Sequence, residues 1–454
     1  MNHSSPSPGI REIRDAIRTG TRTVEQTVQQ AFDAAQRLQP ELQAFIHLPT
    51  SPIVNRADRD APLAGVPVGI KDLIDTADMP TAYGSPAYEG RRPEKDAWVV
   101  ARLREAGATI LGKTVTTEFA WRQPGATTNP WNSDHTPGGS SSGSAAAVAA
   151  GIVPLALGTQ TFGSVIRPAA YCGVVGVKPS YGTIARTGVL PLSGSLDHLG
   201  VFTTNVADAV HALAILAGSD ADDPYASHNS RQGKVPGDAA KRPPRIGVLR
   251  EQIGGPIDKA QQHVLNQLAL RLRADGAEIV AAELPAELAD AARHASILLA
   301  VEAALTHGEL VDRSPALVSA SITALVEEGR ALPATEYAKA KALQIKMALR
   351  FDRWLTEAAR LDALLVAPAS GEAPRGLDYT GDAAFCTPWT FLGVPAVTLP
   401  VAFGPDGLPL GVQLVGASQH DAALLSLAEW AEGRTGWNIA VASRCGQLRC
   451  VQQV

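Results

Sequence analysis

Gly138-Gly139-Ser140-Ser141-Ser142-Gly143-Ser144-Ala145-Ala146-Ala147-Val148-Ala149-Ala150-Gly151 is the stretch on which the reading of this chain turns. Its continuation, Gly158-Thr159-Gln160-Thr161-Phe162-Gly163-Ser164-Val165-Ile166-Arg167-Pro168, completes it. Two Gly/Ser turns flank a small, apolar, helix-competent run. Glycine lets the backbone bend tightly and approach another group closely. Serines between such turns would present hydroxyls and N–H groups toward one point, the layout that a nucleophile and an oxyanion hole need. The Ser/Ala run from Ser144 to Gly151 suits a buried helix packed closely on its neighbours.

Strand and helix patterns alternate on both sides of this stretch. Residues 9–39 read as two amphipathic helices split at Gly20-Thr21-Arg22-Thr23, with Thr21 or Thr23 capping the second. Leu42 to Leu48, Gly65 to Asp72 and Ala108 to Lys113 read as strands, and Asp96 to Glu105 and Val206 to Ala217 as helices. A polar break from Asp220 to Pro244 is a surface excursion or a connection. A strand at Ile246 to Leu249 and a helix at Ala260 to Ala274 follow it. Residues 286–360 are rich in Ala and Leu and mostly helical. Leu361 to Pro368, Val394 to Val401 and Leu408 to Val415 are core strands, and Ala422 to Glu432 a closing helix. The alternation predicts an α/β fold with a parallel or mixed sheet. The tail from Ser443 to Val454 carries no usable pattern.

With 454 residues, 45% of them hydrophobic, the chain can bury a large core. A net charge of -5 without a basic block argues against a nucleic-acid partner. The longest apolar stretch, about Ala145 to Leu157, is too short for a membrane span. The first twenty residues lack the apolar core of a signal peptide. Cys172, Cys386, Cys445 and Cys450 form neither a Cys-x-x-Cys pair nor a disulfide framework, so a reducing cytoplasm is expected. The ten histidines include no His-x-x-x-His pair, and nothing indicates a metal.

Three residues stand out chemically. Lys71 ends the apolar run Gly65-Val66-Pro67-Val68-Gly69-Ile70, where burial would favour its neutral, basic form. Ser140 and Ser164 lie in the two turns, and a serine needs a base before it can attack a carbonyl. Taken singly, each has a plainer reading: a solvated lysine at a strand end, or serines that satisfy turn backbone. A phosphate cradle is a further option for a Gly-rich turn before a helix. The turn lacks the Gly-Lys-Ser/Thr ending of a P-loop and does not match Gly-x-Gly-x-x-Gly.

Together these segments resemble the amidase signature family. The likeness extends through Gly65 to Asp72, Gly112-Lys113-Thr114, Asn129-Pro130-Trp131-Asn132 and Gly173 to Ser180. It continues in Gly200 to Ala207, Gly393-Val394-Pro395-Ala396 and Gly407 to Gly416, and so spans residues 60 to 435. It implies a single α/β domain over 1–454, the amidase signature fold, with a large mixed central β-sheet surrounded by α-helices. Within it, 1–60 would be an N-terminal helical segment, 61–220 the catalytic core and 286–360 a helical excursion that helps to form the pocket. The family's triad falls on Ser164 as nucleophile, Ser140 as the bridging serine after a cis peptide bond, and Lys71 as base. Thr161, Phe162, Gly163 and Ser164 would supply the oxyanion hole. No metal or organic cofactor is implied. The partners implied are a small-molecule amide and a second copy of the chain in a homodimer.

Many family members carry arginine two residues after the nucleophile, whereas Arg167 stands three after Ser164. That variant resembles the malonamidase-type branch, which acts on small carboxylated amides or ureas. It implies that Arg167 binds a substrate carboxylate through two parallel hydrogen bonds; the plainer reading is an internal ion pair. Ser141 and Trp389 are further candidates for substrate contact, with Trp389 equally readable as a core aromatic. Phe162 either narrows the acyl pocket or faces the core. Glu118 and Trp121 to Gln123 lie in a loop that would border the site. The leading expectation is a stand-alone amidase for a carboxylate-bearing amide. The alternatives are a hydrolase of neutral aryl or alkyl amides, a glutaminase-type subunit of a tRNA-dependent amidotransferase, and an inactive binding member.

Overall fold

The computed structural model describes residues 8–226 and 243–437. The tail from Ser443 to Val454, Cys445, Cys450 and most of the polar break lie outside the described residues. One mixed sheet organises the rest. In chain order its strands are β1 Phe45–His47, β2 Pro67–Lys71, β3 Thr109–Thr114, β4 Leu155–Gln160, β5 Val175–Lys178, β6 His198–Thr203, β7 Arg245–Leu249, β8 Glu278–Ala282, β9 Ala363–Val366, β10 Ala396–Phe403 and β11 Pro409–Val415. In space they run β1-β3-β2-β4-β6-β5-β10-β11-β9-β7-β8. β2 pairs in parallel with β3 and β4, and β7 with β8 and β9. The pairs through β5, β6, β10 and β11 are antiparallel. β2 to β6 are buried at every position, as a sheet covered by helices on both faces requires.

The expected helices form. Ile10–Arg18 and Val24–Leu42 flank the Gly20 break, and Thr23 accepts from the Gln26 N–H in a capping box. Leu42, expected at the head of a strand, instead ends the second helix; the chain leaves it at Gln43 in a left-handed conformation before β1. The excursion folds as Ala291–Arg313, Ala320–Ala331 and Ala334–Arg353. Gly329 allows the first two to cross closely, since a Cβ there would stand 1.9 Å from the Ala300 carbonyl oxygen. Among the described residues no helix is long and apolar enough to cross a membrane.

At one edge of this core two acidic residues meet two helix starts. Asp208, buried in the helix Val206–Leu216, accepts from the N–H groups of Ile10 at 2.8 Å and Arg11 at 3.3 Å. Glu432 accepts from the Val206 N–H at 3.0 Å. Burial pushes the Glu432 carboxyl up to about 7; the Val206 N–H opposes this, and nearby Glu429 and Asp208 reinforce it. A carboxyl whose folded value is raised stabilises the fold fully below its unfolded value, about 4.3, and loses that contribution as pH rises through the folded one. Stability should therefore fall between about pH 4.5 and pH 7. Glu432→Gln should flatten this slope in denaturant melts taken across that range; parallel curves for the two proteins would contradict the assignment.

Candidate active site

The parallel trio β3-β2-β4 brings the first Gly/Ser turn and the strand end at Lys71 together. Lys71 closes β2 and is fully buried. Its Nζ donates to Ser140 Oγ at 2.7 Å, to Thr159 Oγ1 at 2.7 Å and to the Thr159 carbonyl at 3.4 Å. Burial drives its pKa well below the ordinary lysine range, and the charge of Asp197 pulls the other way. Two other lysines are equally buried and differ instructively. Lys113, on β3, lies 3.3 Å from Asp72 and donates to the Ile74 carbonyl and Thr81. Lys178 donates to the carbonyls of Pro179 and Val394. Among these three buried lysines only Lys71 meets a serine hydroxyl. Its contacts are hydroxyls and a carbonyl rather than a carboxylate that would hold it charged.

Ser140 follows a cis peptide bond from Gly139. Gly138 before it has φ +80°, and a Cβ there would meet Pro168 Cα at 2.8 Å, so only glycine fits. The turn then enters the helix Ser142–Ala149. Gly143 in its first turn leaves no room for a side chain: a Cβ would stand 2.1 Å from the Ala44 carbonyl oxygen. Ser144 bonds Thr114 Oγ1 at 2.7 Å and the Leu157 carbonyl at 2.8 Å, tying this helix to β3 and β4. The Ser141 hydroxyl is engaged with Thr159, donating to its carbonyl at 3.2 Å and accepting its N–H at 3.3 Å. The Ser141 N–H reaches the Ser164 carbonyl at 3.4 Å and joins the two turns.

The second turn, Thr161 to Ser164, is held from three sides. Asp197 Oδ1 accepts from Thr161 Oγ1 at 2.6 Å. Thr390 Oγ1 donates to the Phe162 carbonyl at 2.8 Å and accepts from Gln160 Nε2 at 2.9 Å. Gln160 Oε1 takes the N–H groups of Val165 at 2.9 Å and Ile166 at 3.0 Å, where the helix Ile166–Cys172 begins. Among the described residues, no acceptor is found for the N–H groups of Phe162, Gly163 and Ser164. The turn is thus fixed without using the donors that an oxyanion would need.

Arg167 is 6% exposed. Its Nη2 donates to the Gly139 carbonyl at 2.7 Å and to Thr380 Oγ1 at 3.3 Å, while its Nε has no partner. Among the described residues no carboxylate lies within ion-pair distance of it. Phe162 is half-buried and meets Trp121 edge-on, ring centroids 6.0 Å apart. Glu118 accepts from Ser85 Oγ at 2.7 Å and from the Ser319 N–H at 2.9 Å, anchoring the Trp121 loop to the helical excursion. The loop is also fastened to the first turn, through the Thr117 N–H and the Ser140 carbonyl at 3.2 Å. Trp389 is fully buried and packs against Phe351 in the core, 5.8 Å between centroids. Sequence reasoning passed over Thr159, Gln160, Asp197 and Thr390. The first two stood within the deciding stretch, whereas Asp197 and Thr390 take their roles from contacts with residues far off in the chain. Among the described residues no group of three or more His, Cys, Asp or Glu is placed to hold a metal.

The chain is similar to known proteins over most of its length. The family model Amidase matches residues 26–425. A glutamyl-tRNA(Gln) amidotransferase subunit of Cyanothece sp. is 31% identical over 480 residues, covering 94% of this chain and 98% of that one. Its counterpart in Rhodopirellula baltica is 41% identical over 293 residues, 60% of this chain; that match spans only 59% of the relative. The solved structure of 6-aminohexanoate cyclic dimer hydrolase superposes with a TM-score of 0.85 at 27% identity, covering 95% of this chain and 97% of that one. This chain belongs to the amidase family and is an amide-hydrolysing enzyme.

Gln160→Ala would strand two buried N–H groups, each costing about 1–3 kcal/mol. We expect the variant to lose roughly 2–6 kcal/mol of unfolding free energy, seen as a lower denaturant midpoint. Unchanged stability would mean that the Gln160 clamp is not formed.

Proposed function

We propose that this member of the amidase family hydrolyses a small amide that also carries a carboxylate. Lys71, neutral in its buried setting, takes a proton from Ser140 Oγ as Ser140 takes one from Ser164 Oγ. Ser164 Oγ then bonds to the amide carbonyl carbon. The N–H groups of Phe162, Gly163 and Ser164, with Thr161 at the head of the turn, receive the negative charge on the carbonyl oxygen. The proton returns from Lys71 through Ser140 to the leaving nitrogen as the C–N bond breaks. Water attacks the resulting acyl-enzyme by the same relay, releasing the acid and restoring Ser164.

The observation that carries the substrate class is Arg167: a buried guanidinium next to the Ser140 turn, with an unpartnered Nε and, among the described residues, no carboxylate of the chain beside it. A buried charge without a counter-ion is costly, and a bound carboxylate would offset it. The short amide of a malonamate-like acid, or a carboxylated urea, is our first reading. We take the enzyme to act alone or as a homodimer. The cytoplasm suits it, since Cys172 and Cys386 are free thiols.

A second reading is favoured by the curated relatives, which bear the name of an amidotransferase component. Glutamine is likewise a primary amide with a carboxylate, so Arg167 would serve either substrate. Under that reading the chain would work with partner subunits, and Trp389 and Ser141 would stay structural in both.

Ammonia release from malonamate, malonamide and glutamine separates these. We expect malonamate to exceed malonamide by roughly tenfold to a hundredfold in kcat/KM, about 1.4–2.8 kcal/mol. Arg167→Met should erase the difference by raising KM for the anion. Turnover of glutamine only, with another chain co-purifying, would favour the amidotransferase reading. Equal loss on anion and neutral amide would assign Arg167 to the turn alone.

A further inference from the structure

Asp197 is a buried carboxylate that the relay described above does not use. It sits just before β6, and its two oxygens do different work. Oδ1 accepts from Thr161 Oγ1 at 2.6 Å, whereas Oδ2 accepts from the N–H groups of Leu192 at 2.8 Å and Ser193 at 3.0 Å. Thr159, Thr161 and Asp197 line one small cavity, with Leu73, Leu190 and Ala120 forming apolar wall. Thr159 is the residue whose hydroxyl holds Lys71. One cavity therefore joins the threonine that holds the base, the head of the oxyanion turn and a carboxylate.

We infer that Asp197 is a positioning residue of this reaction, fixing the turn through Thr161 and supplying the counter-charge for the Lys71 ammonium that forms when the relay takes up the Ser164 proton. The inference rests on the Lys71–Ser140–Ser164 reading. The charge of Asp197 favours the protonated form of Lys71, while burial raises the Asp197 carboxyl itself and the Arg186 charge opposes that rise. The arrangement suits a base that must be neutral at rest and charged in the transition state. A carboxylate in contact would fix the charge permanently, whereas one across the cavity from the Thr159 that holds Lys71 lends attraction without forming an ion pair. The other groups that face Asp197 are few. The Arg186 guanidinium lies close and donates to the Asp197 carbonyl at 2.8 Å. The Tyr181 hydroxyl is nearby and donates to the Gly194 carbonyl at 2.5 Å. The adjacent His198 bonds the Leu196 carbonyl through Nδ1 at 2.6 Å, and burial holds it neutral. In contact with Lys71 itself stand Ser140 and Thr159, with the neighbouring Asp72 paired with Lys113.

The test compares pH profiles of kcat/KM for ammonia release by the full chain, wild type against Asp197→Asn and Thr161→Val. Removing the Asp197 charge should leave Lys71 easier to deprotonate. The acid limb should then move to lower pH in Asp197→Asn, while kcat falls at least tenfold with KM little changed. Thr161→Val loses the clamp and keeps the charge, so it should lower kcat and leave the limb where it was. If both variants lose rate and neither moves the limb, Asp197 only holds the turn and the inference fails. If Thr161→Val moves the limb as far as Asp197→Asn does, the charge is not the cause and the inference also fails. Retained activity in Ser164→Ala would instead overturn the relay reading, and so be told apart.

Discussion

Lys71 Nζ is held in a fully buried position by two hydroxyls and a carbonyl, with no carboxylate in contact, and much of the surrounding structure serves that condition. An ammonium there would be poorly solvated, which keeps the amine available as a base. Lys113 sits one strand away in the same sheet, paired across from Ile70; burial lowers it to about 8, and Asp72, 3.3 Å away, pulls the other way. The difference between the two lysines is a single contact. It separates a structural ion pair from a group able to move a proton.

Holding such a base has consequences that spread outward. Its partner Ser140 must arrive from a turn too tight for a side chain at Gly138, and that turn is pinned by the helix whose Gly143 presses on the Ala44 backbone. In the second turn the N–H groups of Phe162, Gly163 and Ser164 have no acceptor among the described residues, while Asp197 and Thr390 hold Thr161 and the Phe162 carbonyl and Gln160 holds the helix start that follows. These clamps come from distant parts of the chain. The core of the fold is thus a means of bringing residues near 71, 140, 160, 197 and 390 to one place.

Much of this was legible in the sequence because it is local. The Gly/Ser turns, the small-residue helix between them and the apolar strand ending in Lys71 all announce themselves by composition. The strands β2, β3, β7, β10 and β11 and the split N-terminal helices follow from period and punctuation. What the sequence hid is non-local or neutral in pattern. β5 and β6 are short runs with glycines and threonine, easily taken for loop, and their strand character comes from pairing with each other and with β4 and β10. Thr390 and Asp197 gain their meaning only from what lies across the fold. Arg167 was visible as a charge, but its lack of a carboxylate partner could be seen only once its surroundings were assembled.

The proposed relay stands on the protonation state of Lys71, and that can be measured directly. The side-chain amine of Lys71 would be titrated by nuclear magnetic resonance in protein labelled at lysine, with Lys71→Met identifying its signal. The expected result is a group that remains neutral well below the ordinary lysine value of about 10.4. A Lys71 that stays charged up to that value would contradict it, because the relay would then have no base.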